Sequence, residues 1–134
     1  MAAMKLRIHG NSIRFRISQS EMAALVAGTG LEDSLQFGPA PGEKLAYILE
    51  TSSRCSEVRA LYSEGVIQVT IPSNLARTLE STDQTGIEHF QPIARGAGLK
   101  IILEKDFHCS HPRPGENEND NFPNPNQDQR QAKS

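Results

Sequence analysis

The chain has 134 residues, a formal net charge of −2 at pH 7 and two cysteines. This length predicts one domain with a core large enough to fold unaided, and two cysteines are too few for a disulfide framework. There is no apolar run of 18 residues and no charged leader before an apolar segment. We therefore expect neither a membrane span nor a signal peptide, and a cytoplasmic location.

Residues 4–17 predict a β-hairpin with one apolar and one basic face, because hydrophobic and polar side chains alternate along it. The apolar positions are Leu6, Ile8, Ile13, Phe15 and Ile17, and the basic ones are Lys5, Arg7, His9, Arg14 and Arg16. Gly10 and Asn11 form the loop, where glycine suits a type II′ turn. Residues 1–17 contain four Lys or Arg and no acid. Like charges across strands repel, so this face needs water, acids from elsewhere in the fold, or an anion.

After the hairpin, the chain predicts a helix, two strands, and then a second series of the same kind. Ser18 and Glu21 match a capping box, which begins a helix over 19–28. Strands follow at 34–37 and 44–50. The second series is listed in chain order: strands at 58–62 and 66–71, a helix at 74–81, and strands at 86–90 and 99–105.

The two series match at an offset of 54 residues, where 42–50 aligns with 96–104. We therefore predict an α+β fold in which a duplicated β-β-α-β-β unit, at about 4–53 and 57–107, forms an antiparallel eight-stranded barrel or a strongly curved sheet. The two short helices would lie outside. An open antiparallel sheet with both helices on one face is the alternative.

The single domain is expected to span residues 4–111. Residues 1–3 read as a disordered lead-in and 112–134 as a disordered polar tail, because the tail holds four prolines, five asparagines and only Phe122 as a sizeable apolar group. Within that tail, residues 122–125 are a candidate docking element.

The basic face is the strongest candidate for a site. If Lys5, Arg7, His9, Arg14 and Arg16 face a closed interior they would line a cavity suited to phosphate or carboxylate, and otherwise the face is simply solvated. The tract from His108 to His111 lacks the further ligands that a zinc site needs. We predict no metal, no cofactor and no catalytic residue. Cys55 and Cys109 are expected to be reduced thiols, and residues 104–106 a solvated strand end.

The segments at 4–8, 12–21, 104–109 and 120–125 resemble a family of short bacterial proteins known as a domain of unknown function. That resemblance covers residues 4–125 and implies a bacterial cytoplasmic protein without implying an activity.

Two further resemblances concern parts of the fold. Residues 65–72, followed by Leu75 and Leu79, are similar to the AbrB-like DNA-binding unit, a β-β-α-β-β module that pairs with a second copy. Eight antiparallel strands in two helix-bearing halves resemble the triphosphate tunnel (CYTH) enzymes. The leading hypothesis is a binding or accessory domain whose basic hairpin contacts a small anion or an acidic protein partner. A tunnel phosphohydrolase and a nucleic-acid-binding module are the alternatives, although the net charge gives no general reason to expect nucleic acid.

Overall fold

The structure, a computed structural model, describes residues 4–107 and residue 122. The described strands and helices are β1 (Lys5–His9), β2 (Ser12–Ile17), α1 (Gln19–Val26), β3 (Leu31–Gln36), β4 (Lys44–Ser52), β5 (Arg59–Ser63), β6 (Val66–Pro72), α2 (Ser73–Ser81), β7 (Gly86–Ala94) and β8 (Ala97–Lys105). Each half of the chain has the predicted order β-β-α-β-β. That the halves arose by duplication stays a prediction.

The strands form two four-stranded sheets, and each sheet combines strands from both halves of the chain. Sheet A has the order β1-β2-β8-β7, and sheet B has the order β3-β4-β6-β5. The two central pairs, β2 with β8 and β4 with β6, are parallel. The prediction of a wholly antiparallel fold is therefore wrong. Hairpin periodicity identifies which face of a strand is buried, but it does not identify the neighbouring strand.

The predicted eight-stranded barrel is not formed, because the described strands remain in two separate sheets. Where edge strand β7 of sheet A meets edge strand β5 of sheet B, a side chain bonds the backbone in place of strand pairing. The Gln91 amide in edge strand β7 donates to the Ala60 carbonyl over 2.9 Å and accepts from the Ala60 N–H over 2.8 Å. Ala60 lies in β5, the edge strand of sheet B. Its backbone groups are thus satisfied without joining the sheets into one ladder.

The helices pack against each other and against the sheets, and one hydrophobic cluster connects all these elements. The predicted capping box begins α1: the Ser18 hydroxyl accepts from the Glu21 N–H, and the Glu21 carboxylate accepts from the Ser18 N–H over 2.9 Å. Helix α1 ends at Val26, two residues before the predicted end. The fully buried large side chains include Phe15, Ile17, Met22, Leu25, Leu49, Ile71, Leu79, Ile101 and Leu103.

Glycine occupies the hairpin turns because they require a positive φ angle. Gly10 has a φ of 56°, as the predicted turn requires, whereas Glu64 and Gly65 in the second hairpin both have positive φ, at 50° and 79°. Two consecutive positive φ angles are typical of a type I′ turn. The first hairpin therefore matches its predicted form, while the second uses the other primed turn.

Phe122 docks beside the end of β8. Its N–H donates to the Asp106 carbonyl over 2.7 Å, and its ring meets that of Phe107 edge-on at 6.0 Å between centroids. The Lys105 ammonium lies 5.2 Å from the centre of the same ring. The first residue of the predicted docking element is thus placed against the domain. The predictions for residues 1–3, for 108–111 and for the rest of 112–134 lie outside the described residues.

None of the helices in the described part of the chain is long and apolar enough to cross a membrane.

Candidate anion-binding site

The five predicted basic residues lie together on the outer face of sheet A. Strand β2 alternates regularly, with Ile13, Phe15 and Ile17 buried and the residues between them partly exposed. On the neighbouring edge strand β1, the basic residues Lys5, Arg7 and His9 are exposed. The interpretation in which these side chains line a closed interior is therefore wrong, because the apolar alternates occupy the inner face.

Acids from the far end of the chain neutralise part of this basic face. The Arg16 guanidinium donates to the Glu104 carboxylate over 2.7 Å, and Arg14 lies 3.6 Å from the same oxygen. The Lys5 ammonium is 2.9 Å from the Asp106 carboxylate. These contacts follow from the parallel pairing of β2 with β8, which places Arg16 opposite Glu104. The prediction of a solvated strand end at residues 104–106 is therefore wrong, because Glu104 and Asp106 form ion pairs with the basic hairpin.

Glu104 itself has room on this face because its neighbour on β7 is a glycine. Gly86 lies opposite Glu104 in the antiparallel pairing of β7 with β8. A Cβ atom at Gly86 would stand 2.9 Å from the Leu103 carbonyl oxygen and 3.0 Å from the Glu104 Cβ. Any larger residue at position 86 would therefore displace the strand or the carboxylate that bonds Arg16.

A small cavity of about 170 Å³ lies over the outer face of the β1–β2 hairpin, lined by Arg7, His9, Ser12 and Arg14. The strand register places Arg7 directly opposite Arg14 and His9 directly opposite Ser12. The Ser12 hydroxyl donates to the His9 carbonyl over 2.6 Å, and its two lone pairs stay available as acceptors. We call these four residues the basic pocket.

The basic face of the first hairpin carries more positive charge than the acids paired with it balance. Lys5, Arg7, Arg14 and Arg16 supply four cations, whereas Glu104 and Asp106 supply two carboxylates, which leaves two positive charges. Among residues 4–107 and 122, no carboxylate lies within ion-pair distance of Arg7 or His9. Arg7 and Arg14 lie opposite each other, and only Arg14 has an acid nearby, so the pair favours an oxyanion between the two guanidinium groups.

The corresponding position in sheet B lacks these charges. There Leu61 lies opposite Gln68, in the same register as Arg7 and Arg14 in sheet A, and Gln68 bonds the Glu50 carboxylate. Both sheets therefore place a glutamate beside the second strand of the hairpin, but only sheet A places two arginines across from each other. The fold therefore forms this register position without two facing cations.

A second cavity of about 580 Å³ was not predicted, and it lies where the 54–59 segment meets β7. Glu57 and His89 approach to 3.4 Å at its wall, and Cys55 is a partly buried free thiol beside them. No three His, Cys, Asp or Glu side chains of the described residues are grouped so that they could hold a metal ion. The basic pocket is thus the more specific chemical feature.

Ser12 is the pocket residue that sequence reasoning missed. It precedes the alternating basic positions and reads as part of the turn, so nothing in its immediate context marks it as a ligand. The sequence suggested that Glu104 lies on a strand neighbouring the basic face, but its contact with Arg16 and that of Asp106 with Lys5 depend on long-range strand pairing.

A family model described as a family of unknown function (DUF7009) matches residues 4–126. The chain belongs to the DUF7009 family. The predicted resemblance to a family of unknown function is confirmed by this match. No curated protein and no solved structure matches the DUF7009 protein. The resemblances to AbrB-like and tunnel-enzyme units therefore stay predictions.

Proposed function

We propose that the DUF7009 protein is a binding domain for a phosphate-like anion, which Arg7 and Arg14 hold on the outer face of sheet A. The observation that carries this proposal is the direct opposition of the two arginines in a pocket where the described residues give Arg7 no acidic partner. An anion between them would replace repulsion with two charge-assisted interactions.

The chemistry of the pocket favours a tetrahedral oxyanion. Arginine presents paired N–H donors that match phosphate oxygens, and it stays charged at any physiological pH. His9 and Ser12 lie across from each other beside the arginines, and their side chains add further hydrogen-bonding groups. A volume of about 170 Å³ admits a phosphate group without requiring the sheet to open.

The neutral counterpart in sheet B supports a ligand role for the charges. Since Leu61 and Gln68 serve the fold at the corresponding register, the two arginines are not required for strand pairing. The two arginines repel each other across the strands, and a bound anion would offset that repulsion and account for their presence.

Isothermal titration with phosphate and pyrophosphate at low and high salt tests the proposal. We expect Arg7→Gln and Arg14→Gln each to weaken binding about tenfold or more, because a charge-assisted hydrogen bond contributes roughly 1.5–3 kcal/mol. Arg77→Gln is the matched control, since Arg77 is an exposed arginine on α2, remote from the pocket. Equal weakening by all three variants would indicate general charge attraction.

An acidic protein partner would give a different result. It would bind across Lys5, Arg7 and Arg14 together without any measurable affinity for inorganic phosphate or pyrophosphate. Absence of phosphate and pyrophosphate binding to the wild-type protein, with its fold verified by circular dichroism, would overturn the proposal of a small-anion site.

A further inference from the structure

An apolar cleft lies on the inner side of the same hairpin that carries the basic pocket. It has a volume of about 360 Å³ and opens between the two sheets where the β1–β2 and β5–β6 hairpins end. Its apolar walls come from both halves of the chain: Ile8, Ile13, Ala60, Tyr62, Ile67 and Leu99. This volume falls within the range of about 300–1,000 Å³ found for small-molecule sites.

Two large side chains at the mouth of the cleft are left in water. Ile8 is 60 % exposed and Tyr62 is 69 % exposed. Each is the residue of its strand nearest the hairpin end that points toward the other sheet. A ligand seated between them would remove apolar surface of both side chains from water, which favours binding.

The cleft and the basic pocket meet at the tip of the first hairpin. Ser12 lines both of them, and Gly10 and Asn11 line the cleft beside it. A Cβ atom built on Gly10 would have no neighbour within 4 Å, so the space over the tip is open. Asn11 holds the turn in place by donating to the Gly98 carbonyl over 2.7 Å. The two cavities therefore lie on either side of the same hairpin tip, with Ser12 common to both.

We infer that the ligand is a soluble single-chain amphiphilic anion, with its phosphate-like head between Arg7 and Arg14 and its alkyl chain over Gly10 in the apolar cleft. This inference rests on the proposed anion site and names the class of molecule that fills it. Charge complementarity selects the head, and the apolar walls select the tail. A purely inorganic anion would leave Ile8 and Tyr62 in water, and a neutral hydrocarbon would leave Arg7 unpaired within the described structure.

Titration with phosphate, butyl phosphate, hexyl phosphate and octyl phosphate, each below its micelle concentration, tests the inference. Affinity is expected to rise about fourfold for each methylene that enters the cleft, until the cleft is filled. Ile8→Thr and Tyr62→Thr should flatten this dependence and leave phosphate binding unchanged. Both positions are exposed and threonine is favoured in strands, so the fold is retained. Leu35→Thr, at a 52 % exposed leucine on β3 outside the cleft, is the matched control.

The possible outcomes separate this inference from the anion site on which it rests. Equal affinity for phosphate and octyl phosphate would overturn the amphiphile and leave the anion site standing. Failure of every phosphate compound to bind would remove both. Octanol binding as tightly as octyl phosphate would show that the two cavities act separately and would overturn the inference. Binding to phosphatidic acid vesicles without binding to monomeric octyl phosphate would assign the site to a lipid surface and would also overturn it.

Discussion

The Gln91 side chain joins the two sheets by hydrogen-bonding both backbone groups of Ala60, as a neighbouring strand would do. The Gln91 amide both donates to and accepts from the Ala60 backbone, over 2.9 and 2.8 Å. Ala60 is buried, so its N–H and carbonyl would otherwise lack partners in the described structure. A buried polar group without a partner costs about 1–3 kcal/mol. This bond pair therefore stabilises the edges of both sheets without closing a barrel.

Gln91→Leu is predicted to lower the free energy of unfolding by about 2–4 kcal/mol, because it removes partners from two backbone groups at once. Gln91→Glu should also destabilise, since its carboxylate can accept from the Ala60 N–H but cannot donate to the carbonyl. Urea unfolding followed by circular dichroism measures both effects. Gln36→Leu in edge strand β3 is the control: its amide also donates to backbone carbonyls, those of Gly38 and Ala40, but at an exposed site where water can replace it. An unchanged midpoint for Gln91→Leu would show that the seam contributes nothing.

Ser18→Ala is predicted to destabilise the protein by about 1 kcal/mol, because the Ser18 hydroxyl caps the first turn of α1. Ser73→Ala offers a matched comparison at the start of α2, where the structure shows no side-chain cap. That substitution should change stability by less than about 0.5 kcal/mol. Thermal and urea unfolding measure both variants, and equal losses would contradict a capping role for Ser18.

The parts of the fold that were predictable are those set by neighbouring residues. Alternation identified the first hairpin and its two faces, and the spacing of Ser18 and Glu21 identified the start of α1. The parallel pairing of β2 with β8 was not predictable, because alternation is the same whichever strand lies alongside. The candidate site divides in the same way.

For the site, residue type and period placed the basic side chains on one face. Whether that face pointed inward or outward depended on the sheet arrangement. The pairing of Arg16 with Glu104 depended on a register between strands 88 residues apart, which no local pattern encodes. Phe122 was predictable in part. As the sizeable apolar residue of a polar segment it was a candidate for docking, but the sequence did not indicate that it packs on Phe107.

Phe122→Ala is predicted to lower the free energy of unfolding by about 1–2 kcal/mol, since the half-buried ring packs on Phe107 and lies near the Lys105 ammonium. Lys105 is itself buried and donates to the Thr82 carbonyl over 2.9 Å at the end of α2. Phe37→Ala is the control, because that ring is 70 % exposed and should matter by less than about 0.5 kcal/mol. Equal effects in urea unfolding would contradict docking of Phe122.

Glu104→Gln is predicted to tighten phosphate binding about threefold, because a carboxylate roughly 7 Å from a bound anion repels it by about 0.6 kcal/mol in water. The same change should lower stability by less than about 1 kcal/mol, since its partners Arg14 and Arg16 are partly exposed. Glu32→Gln is the matched control: Glu32 is an exposed glutamate on β3, in sheet B. Titration calorimetry with pyrophosphate measures the difference, and weaker binding in Glu104→Gln would contradict the assigned geometry.

The ionisation of Tyr47 is expected to lower the stability of the protein at high pH. Burial raises the pKa of Tyr47, and the charge of Asp33 across the strand pair and a hydrogen bond to its carboxylate raise it further. In the unfolded chain the phenol ionises near pH ~10, while in the folded protein it keeps its proton to higher pH. The stability that the folded protein gains from the protonated Tyr47 phenol is therefore fully present below pH ~10. It is lost as the pH rises through and beyond that value. Urea midpoints between pH 8 and 11 should fall less steeply for Tyr47→Phe than for the wild type. Asp33→Asn should give an intermediate slope, and parallel curves for all three proteins would contradict the assignment.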